Sequence, residues 1–190
     1  IMGFLDERDQ LSNTLWVVTS DHGELFFHKG LVTHGRTLDE AESRVPLLIH
    51  WPEGIAPKDR DEPVSHLDIL PTLLDLLQLP PHPAFQGRSF ASPLAGSVKP
   101  AIFLNIQGLR FSDAIICWPY KYLVVRERAQ GRLFRLDSDP DERKDLSERL
   151  PAVRDALART LAAQFRAQER YHAPSSADAR RKRYQPRLFS

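Results

Sequence analysis

The run Thr14-Leu-Trp-Val-Val-Thr-Ser20 is apolar or β-branched at nearly every position and stops at Asp21-His22-Gly23-Glu24. A run with no polar alternation predicts a strand covered on both faces, the kind found in a parallel sheet. Arg44-Val-Pro-Leu-Leu-Ile-His-Trp51 predicts a second buried strand. Between the two, residues 25–43 read as loop, with Gly30 and Gly35, closing in a short helix from Thr37 to Ser43. A buried strand that ends in charged residues and a glycine is where α/β folds place their chemistry.

The flanking pattern extends this reading. Residues 1–12 fit the end of a helix. Pro52 to Pro57 is a turn. Val64 to Leu79 begins extended and becomes a helix at Asp68 or around Pro71, since proline is tolerated in a first turn. Leu70, Leu73, Leu74, Leu76 and Leu77 supply its apolar face. Leu79 to Gly96 is loop. Ala101 to Asn105, Asp113 to Trp118, Tyr120 to Arg126 and Arg132 to Asp137 read as strands, the last three successive and antiparallel. The last two are joined at Gln130-Gly131, and Asp137 to Asp141 is a tight turn. From Pro151 to about Tyr171, Val153, Leu157, Leu161 and Phe165 recur every four residues, which predicts a helix. The order is therefore α/β first, then a small antiparallel sheet with one helix.

Composition excludes several functions. With 26 Lys+Arg against 25 Asp+Glu, the net charge of +1 gives no electrostatic footprint for nucleic acid. The run Arg180-Arg-Lys-Arg183 reads as a solvated tail. Cys117 is the one cysteine and lies in an apolar run, so it forms no internal disulfide and predicts a buried thiol. No apolar run is long enough to span a bilayer. The start at Ile1-Met-Gly, already inside a helix-like pattern, reads as a cut in a longer chain.

Asp21 and His22 offer adjacent carboxylate and imidazole donors that suit one divalent metal. Zn²⁺ or Mn²⁺ fits this pair better than Ca²⁺, which prefers oxygen shells. Glu24 and His34 are close enough in sequence to fold over the same place. The alternative is that Asp21 caps the next turn and His22 is an ordinary surface residue.

Several stretches occur in an order that resembles the C-terminal half of the sulfatase family, in the alkaline-phosphatase-like superfamily. They are Thr19-Ser-Asp-His-Gly-Glu24, the stretch from His34 to Ile49, and Val64-Ser-His-Leu-Asp-Ile-Leu-Pro. Gln86-Gly-Arg-Ser-Phe90 with Pro93-Leu94, then Tyr120 to Leu123 and Arg132 to Glu142, complete the series. The resemblance covers roughly residues 10–170. It implies the C-terminal part of a mixed sheet sandwiched by helices over residues 1–100, a small α+β subdomain over 101–172, and a basic tail over 173–190. It implies a metal-dependent sulfate ester hydrolase, similar to the arylsulfatases. Asp21 and His22 match the paired metal ligands, with Ca, Mn or Zn as the divalent metal. His34 matches a Lys or His that contacts the sulfuryl or phosphoryl oxygens or protonates the leaving alkoxide. His28 and Lys29 line the cleft mouth as substrate-binding residues. The segment around Asp68 is architectural, with Asp68 as cap and His66 as packing. Arg44 makes a structural ion pair, and His50 is a core or rim residue.

The family nucleophile is a formylglycine made from Cys or Ser in a Cys/Ser-x-Pro-x-Arg motif, or a Thr in the transferases. Neither that motif nor the further Asp ligands is present, so the resemblance implies a missing N-terminal half of the same domain. The implied substrate is a small-molecule, glycan or lipid sulfate or phosphate ester, with no nucleic-acid partner and homo-oligomerisation left open. The compartment stays unassigned, with a periplasmic or membrane-associated location favoured over the cytoplasm. Two alternatives stand. One is a phosphodiesterase, phosphonate monoester hydrolase or phosphoethanolamine-type transferase, because Asp-His is usual in the last two. The other is a non-catalytic remnant.

Overall fold

The computed structural model describes residues 1–52, 54–91, 100–107, 111–126 and 131–172. Its elements are α1 (Met2–Asp6), β1 (Trp16–Thr19), α2 (Glu40–Ser43), β2 (Leu47–His50) and α3 (His66–Leu76). They are followed by β3 (Ile102–Gln107), β4 (Phe111–Cys117), β5 (Tyr120–Val125), β6 (Arg132–Arg135) and α4 (Pro151–His172). The expected segments at Pro93-Leu94, the turn at Gln130 and the tail over 173–190 lie outside the described residues.

β1 and β2 pair antiparallel in a two-stranded sheet, with Trp16 opposite His50 and Thr19 opposite Leu47. This corrects the expectation of a parallel strand buried on both faces. Val18 and Leu48 are cross-strand partners, and each is 55% exposed. A continuous apolar run predicts two covered faces, but covering needs an element packed on each side. Among the described residues nothing shuts off the Val18–Leu48 side.

Helix α3 also differs from expectation. It starts at His66, not at Asp68 or Pro71, so Pro71 lies inside it. The reason is a capping box. The Ser65 hydroxyl accepts from the Leu67 N–H at 3.3 Å, and the Asp68 carboxylate accepts from the Ser65 N–H at 2.9 Å. Two satisfied N-terminal donors fix the start one turn earlier than the proline alone indicates. Its most buried residues are Asp68, Pro71 and Thr72; of the expected leucines, Leu73, Leu74 and Leu76 are half-buried, whereas Leu70 and Leu77 are exposed. Asp68 is a cap as expected. His66 is exposed and does not serve in packing.

The second sheet has the order β3-β4-β5-β6, antiparallel throughout. Period-two alternation sorts its side chains. Ile115, Tyr122 and Leu133 form one cross-strand row, and this row packs against Leu157 and Leu161 of α4. The neighbouring row, Ile102, Ile116, Lys121 and Phe134, faces the other way. On that second face Leu38 packs with Ala114 and Leu123, so the segment leading into α2 is seated on the sheet.

Lys121 is fully buried in this apolar row. Its ammonium lies 2.9 Å from Glu40, 3.0 Å from the equally buried Glu142 and 3.2 Å from the Ser43 hydroxyl. Burial pushes the Glu142 carboxyl up, against the opposing pull of Lys121. The chain thus joins α2 to the four-stranded sheet by apolar contact and by a buried charge triad. Cys117 is half-buried, and burial pushes its thiol up. No helix among the described residues is long and apolar enough to cross a membrane.

Candidate functional site

The site is built where β1 stops. Asp21 and His22 follow directly, and the turn after them is shaped by Gly23. The Gly23 N–H donates to the Glu42 carbonyl at 2.8 Å. A Cβ on Gly23 would lie 2.3 Å from the Ala41 carbonyl oxygen, so only glycine lets α2 back this closely onto the strand end.

Asp21 is exposed, and its Oδ1 accepts from the His22 N–H at 3.0 Å. That N–H, together with the neighbouring imidazole charge, holds the Asp21 carboxyl below its usual range. His22 Nδ1 donates to the Gly23 carbonyl at 2.9 Å. A carbonyl can only accept, so this bond fixes the proton on Nδ1 and leaves the Nε2 lone pair free in the neutral ring. The same carbonyl is the main reason the His22 pKa is raised. Burial opposes it, while the charges of Asp21, Glu24 and Glu42 add to it.

His34 is brought back over this pair. Its ring centroid is 4.1 Å from that of His22, at an interplanar angle of 31°. Its Nδ1 lies 3.0 Å from Glu24 Oε2, and the carboxylate accepts there. Glu24 therefore orients His34 and leaves the far nitrogen available. The other Glu24 oxygen is buried without a hydrogen-bond partner.

Glu42 is the residue the sequence reading missed. It is 5% exposed, and its carboxylate accepts from three successive backbone N–H groups. These are Gly35, Arg36 at 3.4 Å and Thr37 at 3.2 Å. The left-handed backbone at Thr33 and Gly35 turns the loop so that these donors converge. Glu42 thus fixes the segment directly after His34. The only trace in sequence is a glutamate in a short helix otherwise expected to expose its polar residues.

The other expected residues are placed as follows. The Lys29 ammonium donates to Asp39 at 2.8 Å and to the Glu142 carbonyl at 3.1 Å. His28 is half-buried, with Nε2 buried and unpartnered. Arg44 is exposed and makes no ion pair among the described residues, which corrects the expected structural pair. His50 is exposed, a rim position.

Among the described residues no group of three or more His, Cys, Asp or Glu is gathered closely enough to hold a metal. The pair Asp21 and His22 nonetheless fits as part of a shell. Asp21 Oδ2 and His22 Nε2 are 3.5 Å apart, a spacing two donors to one ion can adopt, and in the neutral ring the Gly23 bond leaves Nε2 unprotonated. The remaining donors would have to come from outside the described residues.

Residues 1–79 match the family model described as Sulfatase. Arylsulfatase K of Bos taurus is 30% identical over 167 residues, covering 80% of this chain and 31% of that protein. Among solved structures, BT4656 in complex with its substrate D-glucosamine-2-N,6-O-disulfate superposes with a TM-score of 0.70 at 20% identity. It covers 91% of this chain and 38% of its own. The phosphonate monoester hydrolase of Agrobacterium radiobacter superposes with a TM-score of 0.68 at 23% identity, covering 86% and 37%. At these identities the superpositions establish the fold. The chain spans about a third or less of the length of the curated relatives it matches.

Proposed function

Since the chain belongs to the sulfatase family of the alkaline-phosphatase-like superfamily, we propose that it is part of a metal-dependent sulfate ester hydrolase. The observation that carries this reading is the group at the end of β1. Asp21 and His22 stand side by side there, and His34 stacks on His22 at 4.1 Å.

Asp21 and His22 would hold one divalent cation, Ca, Mn or Zn. A cation there supplies positive charge to the ester oxygens. The Gly23 carbonyl keeps the His22 ring turned so that Nε2 is presented. Glu24 keeps the Nδ1 proton of His34 in place. The far nitrogen of His34, when protonated, donates to a sulfuryl oxygen or to the departing alkoxide. Glu42 holds the loop that sets the height of His34 above His22. The proposal places the nucleophile, a formylglycine in the family, and the remaining ligands in sequence beyond these 190 residues. The domain division at about residue 100 belongs to the same proposal, as does the role of His28 and Lys29 near substrate.

The test is metal content and sulfate release by the full-length protein, wild type against Asp21→Ala and His34→Ala. Loss of bound metal in Asp21→Ala, and a fall in turnover of about 100-fold or more in His34→Ala, is expected. Unchanged turnover in both variants would sink the assignment. A phosphonate or phosphate ester is the second substrate reading, favoured by the Asp21-His22 pair. Faster turnover of a phosphonate monoester than of the matching sulfate would select it.

A further inference from the structure

We propose that a cavity between the His34 loop and the four-stranded sheet is an anion subsite for a second acidic group on the substrate. The proposal rests on the sulfate ester reading above and adds to it a substrate class, esters that carry a second sulfate, phosphate or carboxylate.

The cavity has a volume of about 190 Å³. The loop side gives Lys29, Arg36, Thr37 and Asp39 to its wall, and the sheet gives Ser112 and Arg132. Three cations face one carboxylate, so the lining carries an excess of two positive charges (3 − 1) among the described residues. Asp39 is nearly fully buried and takes Lys29 at 2.8 Å and Arg132 at 3.9 Å. Burial works to raise its pKa. The bonds from Lys29 and Thr37 and the charges of Lys29 and Arg132 outweigh burial and hold it below the usual range. Asp39 is therefore charged at neutral pH and is shared by Lys29 and Arg132, and Asp145 also acts on Arg132.

Arg36 is the cation left over. It makes no ion pair among the described residues, and its Nε is buried with no hydrogen-bond partner. A buried guanidinium nitrogen without an acceptor is costly unless something supplies one. A sulfate or carboxylate does so, and an arginine fork matches either group. The site is also held ready. The Phe134 ring lies 5.2 Å from the Arg132 guanidinium and 5.9 Å from the Lys29 ammonium, and Glu42 clamps the backbone at Arg36 and Thr37. The Ser112 hydroxyl is a further donor, while the Thr37 hydroxyl donates to Asp39 at 2.8 Å. Arg36 follows His34 by two residues, so the cavity wall and the candidate site share one loop.

The experiment uses the full-length protein as wild type, Arg36→Gln and Arg132→Gln. Two sulfate esters are compared, one singly sulfated and one with a second sulfate. For the doubly sulfated ester, KM should rise about tenfold in each variant, while both constants for the single ester stay within about twofold of wild type. Equal changes on both esters, or no change on either, would overturn the subsite. If neither ester is turned over, the sulfate ester reading fails, and calorimetric titration with inorganic sulfate then decides the anion site alone. Binding by wild type that is lost in both variants supports it, and equal or absent binding overturns it.

Discussion

At the residue scale, the candidate site depends on a carboxylate turned wholly toward the backbone. Glu42 accepts three backbone N–H groups in a buried position, so it acts as a fixed anion for the loop carrying His34. Replacing Glu42 by Gln removes the charge and turns an amide donor toward backbone donors. That change should cost about 1–3 kcal/mol of stability by urea unfolding. If His34 acts as proposed, it should also lower sulfate release by about 100-fold, since small misplacements of a reacting group are expensive. Bound metal in the same variant should stay near wild type, because Asp21 and His22 are positioned by the Gly23 turn. Full activity in Glu42→Gln would show that the loop is held by other means. Asp21, His22 and Glu24 were legible as residue types near a strand end. Glu42 was not, because its role comes from a loop folding back on it.

At the element scale, α3 shows local chemistry overriding a strong sequence signal. Proline marks helix starts, yet the Ser65 and Asp68 capping box sets the start at His66 and leaves Pro71 inside. Asp68 does more than cap. Its second oxygen accepts from the Arg88 N–H at 2.9 Å, which ties the following loop to the helix. Gly87 completes that contact, since a Cβ there would lie 1.9 Å from the Leu67 carbonyl oxygen. Ser65→Ala should therefore cost about 1 kcal/mol. Asp68→Ala should cost about 2–3 kcal/mol, because it leaves two N–H groups without their acceptor. Chemical denaturation of the two variants gives the order directly, and equal losses would contradict the double role of Asp68. The helix itself was readable from its leucines. Its most buried positions, Asp68 and Thr72, were not, because they are covered by the following loop, whose Arg88 and Phe90 N–H groups they bind.

At the scale of the whole molecule, the decisive feature is how α2 is fastened to the four-stranded sheet. Lys121 sits in a cross-strand row with Ile116 and Phe134, and its ammonium meets Glu40 and Glu142 with no water-exposed surface left. Breaking such a buried group by removing one partner is expensive. Lys121→Met should destabilise by about 3–5 kcal/mol, measured by thermal or denaturant unfolding. Lys121→Met with Glu142→Leu should recover part of the loss, since no unpaired charge is then left at that position. A double variant no more stable than the single one would assign the triad a different role.

Sequence alone determined much of this protein. Hydrophobic period fixed the strands β3 to β6 and the helix α4. Short-range order, a strand ending in Asp21-His22-Gly23, located the candidate site and the family resemblance. These features depend on residues within a few positions of each other, which is the range over which periodicity and turn chemistry act. Tertiary structure decided the rest. It set the antiparallel pairing of β1 with β2, the seat of Lys121 among acids, the grip of Glu42 on residues 35–37, and the meeting of Lys29, Arg36 and Arg132. Each of these joins segments whose separation along the chain carries no periodic signal, so only packing and charge pairing in three dimensions could choose the partner.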